Sequence, residues 1–121
     1  MTIILGSRIL ITGAASGFGR LMALQMSQKG GKLILWDINK EGLEIVKNEI
    51  EAQGNEVVTM ICNLRNREEI NKCASKVLES GPIDILVNNA GIVSGKSFLE
   101  LTPDQIESTF EINTLAHFWT V

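Results

Sequence analysis

Thr12-Gly13-Ala14-Ala15-Ser16-Gly17-Phe18-Gly19 follows directly on the apolar run Arg8-Ile9-Leu10-Ile11-Thr12 and opens into a segment of helical period. The spacing is TGxxxGxG. A diphosphate can rest on a helix N-terminus only where the backbone approaches without Cβ atoms in the way, which accounts for glycine at the turn and again at the helix entry. Gly19 lets the helix lie close to the strand. A glycine-rich turn with no ligand is the alternative reading, and the strand before with the helix after weighs against it.

Outward from this loop, apolar runs of strand length alternate with longer segments of helical period. The further runs are Lys32-Leu33-Ile34-Leu35-Trp36, Val57-Val58-Thr59-Met60-Ile61 and Ile83-Asp84-Ile85-Leu86-Val87. Most are apolar on successive residues, as strands covered on both faces are. Between them the first helix is expected to turn Phe18, Leu21, Met22 and Met26 inward, and the second Leu43, Val46 and Ile50. The third is expected to turn Ile70, Cys73, Ala74, Val77 and Leu78 inward, with Asn66 as N-cap and Glu69 as its N3 partner. Thr102-Pro103-Asp104-Gln105 reads as a capping box that starts a fourth helix running to the chain end. The order β-α-β-α-β-α-β-α predicts an α/β fold, half of a doubly wound parallel sheet. The first strand is central, two strands stack to one side, and the fourth turns to the other, with a ligand crevice at the switch point.

Composition narrows the function. The chain has 121 residues and a formal net charge of −3, with 11 Lys and Arg against 14 Asp and Glu. No basic run interrupts the mixture, so there is no electrostatic footprint for nucleic acid or anionic lipid. Cys62 and Cys73 with the lone His117 have no metal-ligand spacing, and both thiols read as small core residues, so no metal site is expected. His117 reads as a helix-surface or interface residue. Met1 to Gly6 is too short for a signal peptide or a membrane span, and a cytoplasmic chain is the expectation.

Asp37 ends the second strand, eighteen residues after Gly19. A carboxylate there can accept both hydroxyl hydrogens of an adenosine ribose and would repel a 2′-phosphate, favouring NAD over NADP. Lys40 keeps NADP open, and an ordinary solvated Asp at a strand end is the plainer reading. Asn88-Asn89-Ala90-Gly91 follows the fourth strand and by itself is a turn signal. Asn113 falls seven residues after Ile106 and three after Phe110, on the expected buried stripe of the fourth helix. A buried Asn needs a partner, and a structural polar contact serves that need as well as a functional one does.

Taken together these features resemble the short-chain dehydrogenase/reductase family over nearly the whole chain, from Arg8 to Val121. Leu35 to Lys40 and Thr109 to Thr120 look like the branch of epidermal retinol dehydrogenases and 17β-hydroxysteroid dehydrogenases. The resemblance implies that residues 1–121 are a partial dinucleotide-binding Rossmann domain, with strands one to four and helices one to four only. It implies a nicotinamide dinucleotide held by Thr12, Gly13, Ser16, Gly17, Phe18, Gly19, Asp37, Asn63, Leu64, Asn89, Ala90 and Gly91. Asn63 stands where the family usually has an Asp that accepts from the adenine amino group, and its side-chain oxygen can still accept. Asn113 matches the Asn of an Asn-Ser-Tyr-Lys catalytic set. In the family the catalytic Ser and the Tyr-x-x-x-Lys pair lie beyond the fourth helix, and this chain contains no tyrosine, so the resemblance implies that they are missing and that the chain alone is inactive.

The implied function is oxidoreduction of a lipophilic alcohol or carbonyl, this chain carrying the cofactor-binding half. The alternatives are a truncated subunit that binds or regulates a full-length relative as a homo- or hetero-dimer, and the product of a decayed gene. Relatives in this branch often carry an N-terminal anchor to the endoplasmic reticulum or lipid droplets, so that location is the alternative to the cytoplasm.

Overall fold

The computed structural model describes residues 4–91, 102–110 and 112–113. Its elements run β1 (Arg8–Thr12), α1 (Gly17–Gln28), β2 (Lys32–Asp37), α2 (Lys40–Ala52), β3 (Val57–Ile61), α3 (Arg67–Glu79), β4 (Ile85–Val87) and α4 (Pro103–Phe110). The four strands form one sheet in the order β3-β2-β1-β4, all pairs parallel. The chain steps from β1 to β2 to β3, then returns past β1 to β4. That reversal is the expected switch point, and it moves the covering helices from one face to the other.

Alternation along each strand divides the core into two layers. Ile9, Ile11, Leu33 and Leu35 meet Leu43, Val46 and Ile50 of α2 and Ala23 of α1 on one face. Leu10, Ile34 and Trp36 meet Ile70 and Val77 of α3 on the other. Complete burial of a side chain such as Ile70 stabilises by about 1.5–3 kcal/mol. Trp36 is 1% exposed, and its indole Nε1 has no partner among the described residues. That unmet donor costs about 1–3 kcal/mol, set against the large apolar area the ring removes from water.

Several elements differ from the sequence reading. Phe18 and Leu21 are exposed rather than inward, and α1 buries Gly19, Ala23 and Ser27, with Met22 and Met26 at the margin. Small residues form the seam because the helix lies close to the sheet, and large side chains cannot fit between. Leu78 is likewise exposed, at the last turn of α3, while Cys73 and Ala74 are partly buried beside the core. β3 is an edge strand, so Val58 and Ile61 are about half exposed instead of covered on both faces. β4 begins at Ile85, not Ile83, because the Asp84 carboxylate takes the Arg8 backbone N–H at 2.8 Å, although Asp84 N still donates to Arg8 O.

The helix caps follow local chemistry. Thr102 Oγ1 accepts from Gln105 N and Gln105 Oε1 accepts from Thr102 N, a closed capping box with Pro103 first in α4. The continuation of that helix beyond residue 113, with His117, lies outside the described residues. Asn66 caps α3 by accepting from Glu69 N, but Glu69 does not return the bond to Asn66; its Oε1 accepts from Asn63 N. At the far end of α3 the Arg8 guanidinium donates to Gly81 O, to Pro82 O at 3.1 Å and to Val77 O at 3.0 Å. A cation on the last carbonyls of a helix also meets the negative end of its dipole. Arg8→Ala is therefore expected to lower the unfolding free energy by about 1–3 kcal/mol, the worth of charge-assisted hydrogen bonds to part-buried carbonyls. Urea unfolding of the two chains measures it, and an unchanged midpoint contradicts the assignment.

Candidate functional site

The C-terminal ends of the four strands border a cleft of about 370 Å³. Gly13, Ser16 and Gly17 line it from the first βα turn, and Asp37 with Ile38 from the end of β2. Cys62, Asn63 and Leu64 contribute from beyond β3, and Asn89, Ala90 and Gly91 from beyond β4. Ile112 lines it as well. This is the crevice position that strand order alone assigns to ligands in open parallel sheets.

The glycine loop is held from both sides. Gly13 N and Ala14 N donate to Trp36 O at 2.8 and 3.3 Å, which hooks the loop onto β2. Ala15 N donates to Asp37 Oδ2 at 3.0 Å, and Asn39 N donates to Asp37 Oδ1 at 2.9 Å. The carboxylate that ends β2 is thus fixed by one bond from the loop and one from the start of α2. On the other side Thr12, fully buried, accepts at Oγ1 from Asn89 N and Ala90 N, each at 3.1 Å. Asn89 Nδ2 donates in turn to Thr12 O and Gly13 O, each at 3.2 Å.

Two glycines shape the cradle differently. At Gly19 a Cβ would lie 2.2 Å from Gly13 O and 2.6 Å from Asn89 Nδ2, so the position tolerates no side chain. Gly17 has φ +57° and lines the cleft, and a Cβ there would meet nothing within 4 Å. Ser16 is the N-cap of α1, yet its side chain makes no capping bond. The start of α1 therefore faces the cleft without a side chain across it, which is the form an anion-binding helix terminus takes.

Of the residues named from sequence, Thr12 and Gly19 stand behind the cleft as its frame, and Phe18 is 80% exposed outside its lining. Asn113 is half-buried rather than buried, with Oδ1 3.2 Å from where a Cβ on Gly91 would lie. Asn63 Oδ1 accepts from Arg65 N at 3.0 Å, and an amide oxygen retains a second lone pair for a ligand. Cys62 is a core residue, as its type suggests, but it also borders the cleft. Burial and the adjacent Cys73 push its thiol well above the usual range, so it stays protonated and inert. Sequence reasoning did not find Ala15, whose contribution is a backbone amide, nor Ile38 and Ile112, whose apolar side chains carry no ligand signal.

A family model described as short chain dehydrogenase matches residues 7–121. The chain belongs to the short-chain dehydrogenase family. This short-chain dehydrogenase chain is 47% identical over 116 residues to estradiol 17-beta-dehydrogenase 11 of Homo sapiens, covering 95% of the chain and 39% of the relative. It is 44% identical to epidermal retinol dehydrogenase 2 of Mus musculus, over 94% of the chain and 38% of that protein. Solved relatives superpose closely. A short chain dehydrogenase/reductase from Burkholderia phymatum in complex with NAD gives a TM-score of 0.94 at 30% identity, over 100% of this chain and 43% of that one. A metagenomic short-chain oxidoreductase in complex with NADP gives 0.91 at 28% identity, over 98% and 55%. The short-chain dehydrogenase fold is thus matched throughout, while the chain spans about two fifths of the length of the curated relatives named here.

Proposed function

We propose that this chain is the NAD-binding half of a short-chain oxidoreductase acting on a lipophilic alcohol or carbonyl, of the class to which hydroxysteroids and retinol belong. The observation that carries the cofactor reading is the Asp37 carboxylate at the end of β2, lining the cleft and bonded to Ala15 N and Asn39 N. Its negative charge suits two ribose hydroxyls and disfavours a 2′-phosphate. The open space at Gly17 and the uncapped start of α1 suit the diphosphate. Asn63 and Leu64 suit the nucleobase. When bound, the nicotinamide supplies the hydride acceptor or donor. The substrate class rests on the names of the steroid and retinol dehydrogenases that the chain resembles.

Within this reading Asn113, beside Gly91, belongs to the catalytic set, and Asn89 and Thr12 keep the two halves of the cleft in register. Calorimetric titration of the folded chain with NAD and with NADP tests the proposal. NAD is expected to bind more tightly than NADP. Absence of binding, or tighter binding of NADP, overturns it.

A further inference from the structure

We infer that Glu69 is a positioning residue for the nucleobase end of the cleft, an inference that rests on the dinucleotide reading above. Glu69 does not itself line the cleft. It lies in the first turn of α3, where a carboxylate ordinarily returns a bond to the N-cap amide. Here its Oε1 instead accepts from Asn63 N at 2.9 Å, six residues back. Asn63 and Leu64 line the cleft, and the short loop that holds them is also fixed by Cys62 N donating to Asp37 O, Arg65 N donating to Asn63 Oδ1 and Asn66 N donating to Asn63 O. Cys62 is therefore held by the tip of β2, and Asn63 by the start of α3. Glu69 is the helix side chain that ties the Asn63 amide to α3.

The chemistry predicts what each substitution does. Alanine removes the acceptor and leaves the part-buried Asn63 N–H unmet, a penalty the loop relieves by moving toward water. Glutamine removes the charge and keeps an acceptor oxygen of the same reach. A role confined to the helix dipole needs the charge and is lost in both variants. A role in holding Asn63 needs only the oxygen.

The test is calorimetric titration of the full chain with NAD and with AMP, at a temperature where circular dichroism shows each variant folded. Glu69→Ala is expected to weaken both ligands about tenfold, and Glu69→Gln to bind within about twofold of the unmodified chain, a tenfold change corresponding to about 1.4 kcal/mol. Amide hydrogen exchange of the unmodified chain adds a measurement that needs no variant, with Asn63 N–H expected to be protected. Unchanged affinity in Glu69→Ala, equal loss in both variants, or rapid exchange at Asn63 overturns the inference while leaving the cofactor reading intact. Failure of the unmodified chain to bind NAD or AMP overturns the cofactor reading, and this inference with it.

Discussion

Gly19→Ala is expected to destabilise the chain by about 3 kcal/mol or more, at the upper end of what overpacking a tight site costs, and to abolish dinucleotide binding. The added methyl would sit 2.2 Å from Gly13 O and 2.6 Å from Asn89 Nδ2. Those two atoms belong to groups already bonded to each other, since Asn89 Nδ2 donates to Gly13 O. Neither can retreat without breaking the tie between the glycine loop and the segment after β4, or lifting α1 from the sheet. Gly17→Ala is the contrasting case. Space is open there, so only the left-handed backbone resists, at about 1–2 kcal/mol. Chemical denaturation of the three chains measures the difference. If Gly19→Ala proves no worse than Gly17→Ala, the close approach of helix and loop is not what the first position is selected for.

Asp37→Ala is expected to weaken NAD by about 2–3 kcal/mol, roughly 30- to 150-fold, the worth of hydrogen bonds to a charged acceptor. Two losses combine in that number. On the proposed reading the ribose hydroxyls would lose their acceptor, and Ala15 N and Asn39 N lose theirs, which loosens the loop on which the diphosphate would rest. NADP should suffer less, because removing the carboxylate also removes its repulsion of a 2′-phosphate. The preference between the two dinucleotides should therefore narrow or invert. Titration of the variant with both ligands decides the matter, and an unaltered NAD affinity would sink the assignment of Asp37.

Much of this was legible in the residues themselves, for a local reason. Strands covered on both faces are apolar on successive residues, so Arg8–Thr12 announces itself, and the TGxxxGxG spacing encodes a turn whose atoms are near neighbours in sequence. The inward residues of α2 were equally clear because Leu43, Val46 and Ile50 are large and regularly spaced. In α1 the same reasoning chose Phe18 and Leu21 over the smaller Gly19, Ala23 and Ser27. Hydrophobicity rewards size, whereas a helix pressed against a sheet demands smallness. Glu69 is the N3 partner of the Asn66 cap through its backbone N–H, but the capping rule looks three residues back for its side chain, and the bond that side chain makes spans a loop instead. The amide of Ala15 on Asp37 could not have been read at all, since backbone donors leave no trace in residue identity.

The bonds from Asn89 to Thr12 and Gly13 join positions 77 and 76 residues apart. Closing so long a span costs entropy that nearby contacts do not, and such pairings form slowly. During synthesis the glycine loop and its β2 partners, Trp36 and Asp37, emerge before Asn89 and Ala90, which hold it from the other side. The cradle can take its full shape only once the segment after β4 has been made, and a dinucleotide that favours that shape would act on the folding clock as well as on the finished protein.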